Sequence, residues 1–218
     1  MKIGVLGTGV VGQTIAGKFA ELGHSVHIGT RDVVKTNQGD FAKWKNDHSE
    51  IKLVTFSDAA AHGEILVNAT SGVSSLAALK LAGITNLGGK ILIDIANPLD
   101  FSKGMPPTLS VCNDSSLGEE IQAAFPEVKV VKTLNTMTAS VMVEPVLVPG
   151  DHNVFVAGND AGAKAAVIDI LNTFGWKTEN VIDLGDITGS RGTEMFLPLW
   201  LRLWGTLQTP MMNIKIMR

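Results

Sequence analysis

The 218-residue chain contains no tyrosine and one cysteine, Cys112. The first absence excludes every mechanism that needs a phenolic acid or base, including the Tyr/Lys pair of short-chain dehydrogenases. The second excludes an internal disulfide, a C-x-x-C redox pair and a cysteine-rich zinc site, and it suits a reducing compartment, so a cytoplasmic location is expected. Charge is sparse as well, at 18% of residues and a net −3, so no nucleic-acid partner is expected. The five histidines, His24, His27, His48, His62 and His152, show no metal-ligand spacing, and no metal site is expected. Hydrolase chemistry has no support either, since there is no Ser/His/Asp constellation and no nucleophile elbow. Apolar runs are short. The one at the start ends at Gly7, and Met195 to Met212 is interrupted by Pro198, Arg202, Gly205, Gln208 and Pro210. Neither reaches the roughly 20 clean residues of a membrane span. The second reads as a buried helix, and no membrane association is expected.

What is present is an alternation of short apolar runs with stretches of helical period. Strands are predicted at 2–6, 25–29, 52–55, 65–69, 90–95, 128–132, 153–157 and 181–184. Helices are predicted at 11–22, 57–61, 74–81, 116–124, 160–172 and 189–207. Asp160 is placed to cap its helix, and Ser116 with Glu119 three residues on reads as a capping box. Such alternation predicts an α/β fold: a doubly wound, mostly parallel Rossmann-type sheet with a small C-terminal α/β extension ending in an apolar helix. A turn at Pro149-Gly150 suggests two parts, a nucleotide-binding domain over 1–150 and a small C-terminal subdomain over 151–218.

The first strand runs into Gly7-Thr8-Gly9-Val10-Val11-Gly12 and then a helix. In a dinucleotide fold the first glycine permits a tight turn, the second lets the backbone approach the pyrophosphate, and the third lets helix and strand pack. The pyrophosphate then meets the free N–H groups of the helix N-terminus. At the end of the second strand an NAD enzyme usually carries Asp or Glu, about 20 residues on from the motif. Here that position is Thr30, followed by Arg31, with Lys35 one helical turn further. A hydroxyl, a guanidinium and an ammonium suit a 2′-phosphate, so NADP(H) is the expected nucleotide. The neighbouring Asp32 is expected to point away or cap the next turn. The competing reading is that Arg31 and Lys35 are solvated surface charges.

The later strand ends carry Asn68, Thr70 and Ser71, then Asn97, then Asn135 to Ala139. Amides, hydroxyls and small side chains suit a ribose and a flat ring, and no strong acid or base is read at these ends. For each residue alone, turn capping is the alternative. The tail from Met195 holds four of the eight methionines and two of the four tryptophans. Its apolar helix must be covered by its own domain, by a second subunit or by a planar ligand.

Taken together, Gly7-Thr8-Gly9, Thr30-Arg31 with Lys35, the Asn135-Thr136 to Ala139 turn, and Ser190-Arg191 with Glu194 and Pro198-Leu199 resemble the NADP oxidoreductases dependent on coenzyme F420. The chain is more distantly similar to the cytosolic NADPH-binding domain of the six-transmembrane ferric reductases. The resemblance covers the whole chain. It implies a homodimer that binds NADP(H) and a deazaflavin or flavin in one cleft. By that likeness Thr8, Gly9, Val10 and Val11 hold the pyrophosphate and Thr30, Arg31 and Lys35 the 2′-phosphate. Asn135 and Ala139 would lie near the nicotinamide, and Met212 would line the cleft. Thr70-Ser71-Gly72 and Asn135 depart from better-known members. The expected reaction is hydride transfer between NADP(H) and a stacked deazaflavin or flavin ring, which needs orientation and exclusion of water and no catalytic side chain. Two alternatives stay open: NADPH-dependent reduction of a small imine or carbonyl, and a non-catalytic NADP-binding sensor.

Overall fold

The computed structural model describes residues 1–217. Eight strands form the main sheet: β1 (Lys2–Leu6), β2 (Ser25–Thr30), β3 (Lys52–Thr55), β4 (Ile65–Asn68), β5 (Ile91–Asp94), β8 (Lys129–Thr133), β9 (Val154–Ala157) and β10 (Val181–Asp183). A two-stranded hairpin, β6 (Leu99–Asp100) with β7 (Thr108–Leu109), stands apart. The main order is β10-β9-β8-β5-β4-β1-β2-β3. From β3 to β8 every pairing is parallel, and the order turns back beside β1, so the sheet is a doubly wound Rossmann-type arrangement. β9 is antiparallel to β8, and β10 is parallel to β9, so the last βαβ unit is joined to the same sheet in the reverse direction.

Every predicted strand is present, because strands buried on both faces leave unbroken apolar runs that stand out in the sequence. Period-two alternation divides the core between the two faces. Ile3, Val5, Val67, Ile93 and Val131 pack with α1 (Val10–Glu21), α8 (Ala139–Val143) and α9 (Ala161–Thr173). Leu6, Leu66, Leu92 and Val130 pack with α4 (Phe56–His62), α5 (Gly72–Ala82) and α7 (Leu117–Ala124). Phe19 of α1 meets Phe174 edge-on at 5.1 Å, which fastens the first helix to the end of α9. The expected caps form: Asp160 accepts the Ala163 N–H at 2.7 Å and Ser116 that of Glu119 at 3.1 Å.

Several elements lay outside the predicted set: α2 (Val33–Thr36), α3 (Asp40–Asp47), α6 (Ile84–Leu87), α8 and the hairpin. α3 buries only Phe41, so it leaves little apolar pattern to detect. The helix predicted over 189–207 is two helices, α10 (Ser190–Met195) and α11 (Leu197–Leu207), with the break at Phe196. Pro198 in the first turn of α11 has no N–H to continue the ladder from α10. Nor is the tail buried as expected. Leu199, Leu203, Trp204 and Leu207 are exposed, and of α11 only Leu197 and Trp200 are buried. After α11 the chain returns to the sheet, where Ile214 O accepts the Asn153 N–H at 2.8 Å. Among the described residues no helix is long and apolar enough to cross a membrane.

Candidate active site

Parallel register sets Gly29, Leu6, Asn68, Asp94 and Lys132 side by side near the carboxyl edge of the sheet. The predicted residues sit on the loops beyond this row, in two groups of different character.

The first group surrounds the β1–α1 turn. Gly7 has φ +117°, and a side chain there would meet the Ala69 carbonyl; one at Gly12 would overlap the carbonyl of Gly7. Both glycines are required by close packing. Gly9 differs, since a Cβ there would meet nothing within 4 Å. Gly9 is also the N-cap of α1, and no side chain caps this helix. The first-turn N–H groups of Val10 and Val11 therefore border open space, which is the arrangement an anion requires. Thr8 stands alongside, its carbonyl fixed by Gln13 Nε2 at 2.8 Å. At the end of β2 the Thr30 hydroxyl is buried against that of Thr36 at 2.8 Å. Asp32, the one carboxylate here, caps α2 by accepting the Lys35 N–H at 3.0 Å. Arg31 and Lys35 are exposed, and among the described residues neither makes an ion pair.

The second group lies on the loops after β4, β5 and β8, and its polar groups are occupied. The Thr70 hydroxyl donates to Asn68 Oδ1 at 2.7 Å and lies 2.9 Å from that of Ser75. Ser71, the N-cap of α5, is exposed and makes no capping bond. Asn97 and Asn135 exchange two hydrogen bonds of 2.9 Å, from Asn97 Nδ2 to the Asn135 carbonyl and from Asn135 Nδ2 to Asn97 Oδ1. Ala139 opens α8 and is buried. The Ser140 hydroxyl next to it reaches Met211 Sδ at 3.8 Å, which brings the tail carrying Met212 to this end of α8.

The expectation that these strand ends hold no strong acid or base needs correction. Asp94 is the last residue of β5 and Lys132 lies in β8, joined at 2.8 Å with both side chains fully buried. Glu194 of α10 completes the cluster at 2.7 Å from Lys132. Burial alone pulls the Lys132 ammonium down, but Asp94 and Glu194 outweigh it and hold its pKa above that of an ordinary lysine. Burial pushes the Glu194 carboxyl up, opposed by Lys132. Asp94 inside the apolar run Ile91–Ile95 was the available signal, since buried charges are rare unless paired.

The histidines lie elsewhere. His27 stacks on His62 with ring centroids 3.5 Å apart, and burial, with His62 and Lys52 beside it, holds its pKa below the ordinary histidine value. His152 Nε2 donates to the Pro145 carbonyl at 3.0 Å, and its Nδ1 accepts from Asn213 Nδ2 at 2.7 Å. Among the described residues no three His, Cys, Asp or Glu side chains are grouped to hold a metal ion.

Comparison with known proteins supplies four relevant likenesses. The model of the family described as NADP oxidoreductase, coenzyme F420-dependent, matches residues 2–98. An F420-dependent NADP reductase of Methanocaldococcus jannaschii is 30% identical over 210 residues, covering 93% of this chain and 92% of that protein. The crystal structure of a putative F420-dependent NADP reductase from Arthrobacter sp. FB24 shares 59% identity over the full length of both chains, with a TM-score of 0.97. More distantly, the metalloreductase STEAP3 of Rattus norvegicus is 27% identical over 91% of this chain, which spans 38% of that protein.

Proposed function

The chain belongs to the family of coenzyme F420-dependent NADP oxidoreductases, and from that premise we propose that it passes a hydride between NADP(H) and a deazaflavin. NADP-dependent oxidoreductase activity follows from membership; the deazaflavin acceptor and the residue assignments are the proposal. The observation that carries it is the pairing of an uncapped helix N-terminus, open over Gly9, with two exposed cations one strand away that form no ion pair among the described residues. The Val10 and Val11 N–H groups bind the pyrophosphate, and Gly9 leaves room for it. Arg31 and Lys35 bind the 2′-phosphate by charge-assisted hydrogen bonds, with the Thr30 hydroxyl beside them. Asp32 is held on its cap, where it accepts the Lys35 N–H.

When bound, NADPH supplies a hydride from the nicotinamide ring, and a deazaflavin accepts it. The chain has only to orient the rings and exclude water. Thr70, Ser71, Asn97, Asn135 and Ala139 form the nicotinamide side of the cleft, where Asp94, Lys132 and Glu194 are closed on one another and offer no free proton donor. That favours ring-to-ring transfer, in which the charge left by the hydride would be delocalised over the accepting ring and its proton taken afterwards from solvent, over reduction of a carbonyl or imine, which needs a proton at the heteroatom as the hydride arrives. Residues 1–150 hold the nucleotide, and 151–218, with Met212 in the returning tail, line the acceptor side.

A second copy of the chain covers α11. Leu199, Leu203, Trp204 and Leu207 make an exposed apolar face that costs solubility in a monomer. The protein then works as a homodimer in the cytoplasm, and light scattering checks the mass. Anaerobic oxidation of NADPH with a panel of acceptors tests the function. Turnover with deazaflavin is expected; turnover with imines or carbonyls in its place, or none despite tight NADP binding, contradicts it.

A further inference from the structure

Glu194 is part of the motif Ser190-Arg191 to Glu194, yet it stands outside the nucleotide cradle and is 1% exposed. Its Oε2 accepts the Leu117 N–H at 2.8 Å, and its Oε1 accepts the Gly118 N–H at 3.1 Å and Lys132 Nζ at 2.7 Å. The carboxylate therefore sits on the N-terminus of the eight-residue α7, where the helix dipole favours negative charge. Two neighbours hold α10 in place. Arg191 forks onto Glu119 of α7, and Gly118 has no side chain because one would strike the Ser190 hydroxyl.

The Lys132 ammonium has three donors, and all three are used: on Glu194, on Asp94 Oδ2 and on the Ala96 carbonyl. From Asp94 the chain of bonds continues. Its Oδ1 accepts Asn68 Nδ2 at 2.8 Å, and Asn68 Oδ1 accepts the Thr70 hydroxyl. Beyond Ala96 lies Asn97, bound twice to Asn135. One buried ammonium thus sets the ends of β4, β5 and β8 relative to one another and to α10. A buried ion cluster is a poor way to add stability, because well-packed apolar residues do as well or better. What it supplies is fixed geometry. The adenosine side of the cleft has no corresponding tie.

We propose that Glu194 and Lys132 are positioning residues for the nicotinamide half of the nucleotide: without touching it, they hold the loops of Thr70, Asn97 and Asn135 where the ring must lie. This rests on the nucleotide reading of that edge. A sub-ångström shift of these loops is enough to weaken productive binding, since a misplacement of about 1 Å can cost about a hundredfold in rate.

The test compares two probes by calorimetric titration of the full chain: NADP+, which fills both halves, and adenosine 2′,5′-bisphosphate, which fills only the adenosine half. Glu194→Gln places an amide donor against the donors of Leu117, Gly118 or Lys132. It is expected to weaken NADP+ by about tenfold and to leave adenosine 2′,5′-bisphosphate within about twofold of wild type. Arg191→Ala loosens α10 without leaving a buried charge, so it folds even where the first variant does not; a selective loss of about threefold is expected. Equal losses for both probes in the folded variants would reduce the cluster to general stability, and no loss for either would deny it any role at the cleft; both overturn the proposal. Failure of the wild-type chain to bind either probe would instead overturn the nucleotide reading.

Discussion

The two halves of the carboxyl edge solve different problems. On the β1–β2 side the polar groups are left unfinished: the α1 N-terminus is uncapped, and Arg31 and Lys35 stand exposed with no ion-pair partner among the described residues. On the β4–β5–β8 side the polar groups largely complete one another, from Thr70 through Asn68, Asp94 and Lys132 to Glu194. In the proposed reading the first half gains its binding energy from groups that the ligand satisfies. The second half has little left to offer in charge and contributes shape. Under the proposed reading, recognition and geometry are separated: the phosphates would fix where the nucleotide lies, and a rigid polar frame would fix how the ring is presented.

The largest effect is expected where this contrast is sharpest. Lys132→Met leaves Asp94 and Glu194 buried without a cation, and denaturant unfolding should register a loss of about 3–5 kcal/mol. Lys35→Met, the same change on the unfinished side, should stay within about 0.5 kcal/mol in the same measurement. Comparable losses would erase the distinction between the halves.

Next comes Arg31→Ala. Its expected cost is about 1–3 kcal/mol in NADP+ affinity with NAD+ affinity nearly unchanged, read by titration. A loss equal for both nucleotides would remove the 2′-phosphate from this side. Gly9→Ala is expected to leave the thermal midpoint unchanged, because its Cβ enters empty space, while lowering NADP+ affinity by about tenfold. Unaltered affinity would mean that no ligand approaches the loop there.

The smallest effect concerns pH. Arg191 holds the Glu119 carboxyl below its ordinary pKa of 4.5, with Ser116 adding to it and burial opposing. A lowered folded pKa contributes stability that is present above the unfolded value and lost as pH falls through the folded one. The thermal midpoint of Arg191→Ala should therefore trail wild type by about 1–2 °C at neutral pH, and the gap should close below pH 4.5. A gap that persists in acid would assign the effect to packing.

The same contrast governs how much the sequence discloses. The eight strands of the main sheet are evident because Ile3, Val5, Val67 and Val131 recur in short apolar runs, and the glycine loop because close packing needs glycine at Gly7 and Gly12, with a third at Gly9 facing open space. Unfinished sites advertise themselves: Arg31 and Lys35 stand out as exposed cations that pair with no carboxylate among the described residues. The closed frame does not, because its members are neighbours only in three dimensions. Asn68 and Asp94 meet across 26 residues, and Asp94 and Lys132 across 38. Nothing local distinguishes Lys132 from an edge lysine. The exposed face of α11 has the opposite cause: its composition demands a cover, and the single chain does not provide one.

The most direct test follows the hydride itself. NADPH carrying deuterium at both C4 positions of the nicotinamide is mixed with oxidised deazaflavin and the protein, and the products are examined by mass spectrometry and NMR. Direct transfer predicts one deuterium retained on the ring carbon of the reduced deazaflavin, where solvent does not exchange it. Deuterium released to water, or nucleotide bound with no transfer, would contradict it.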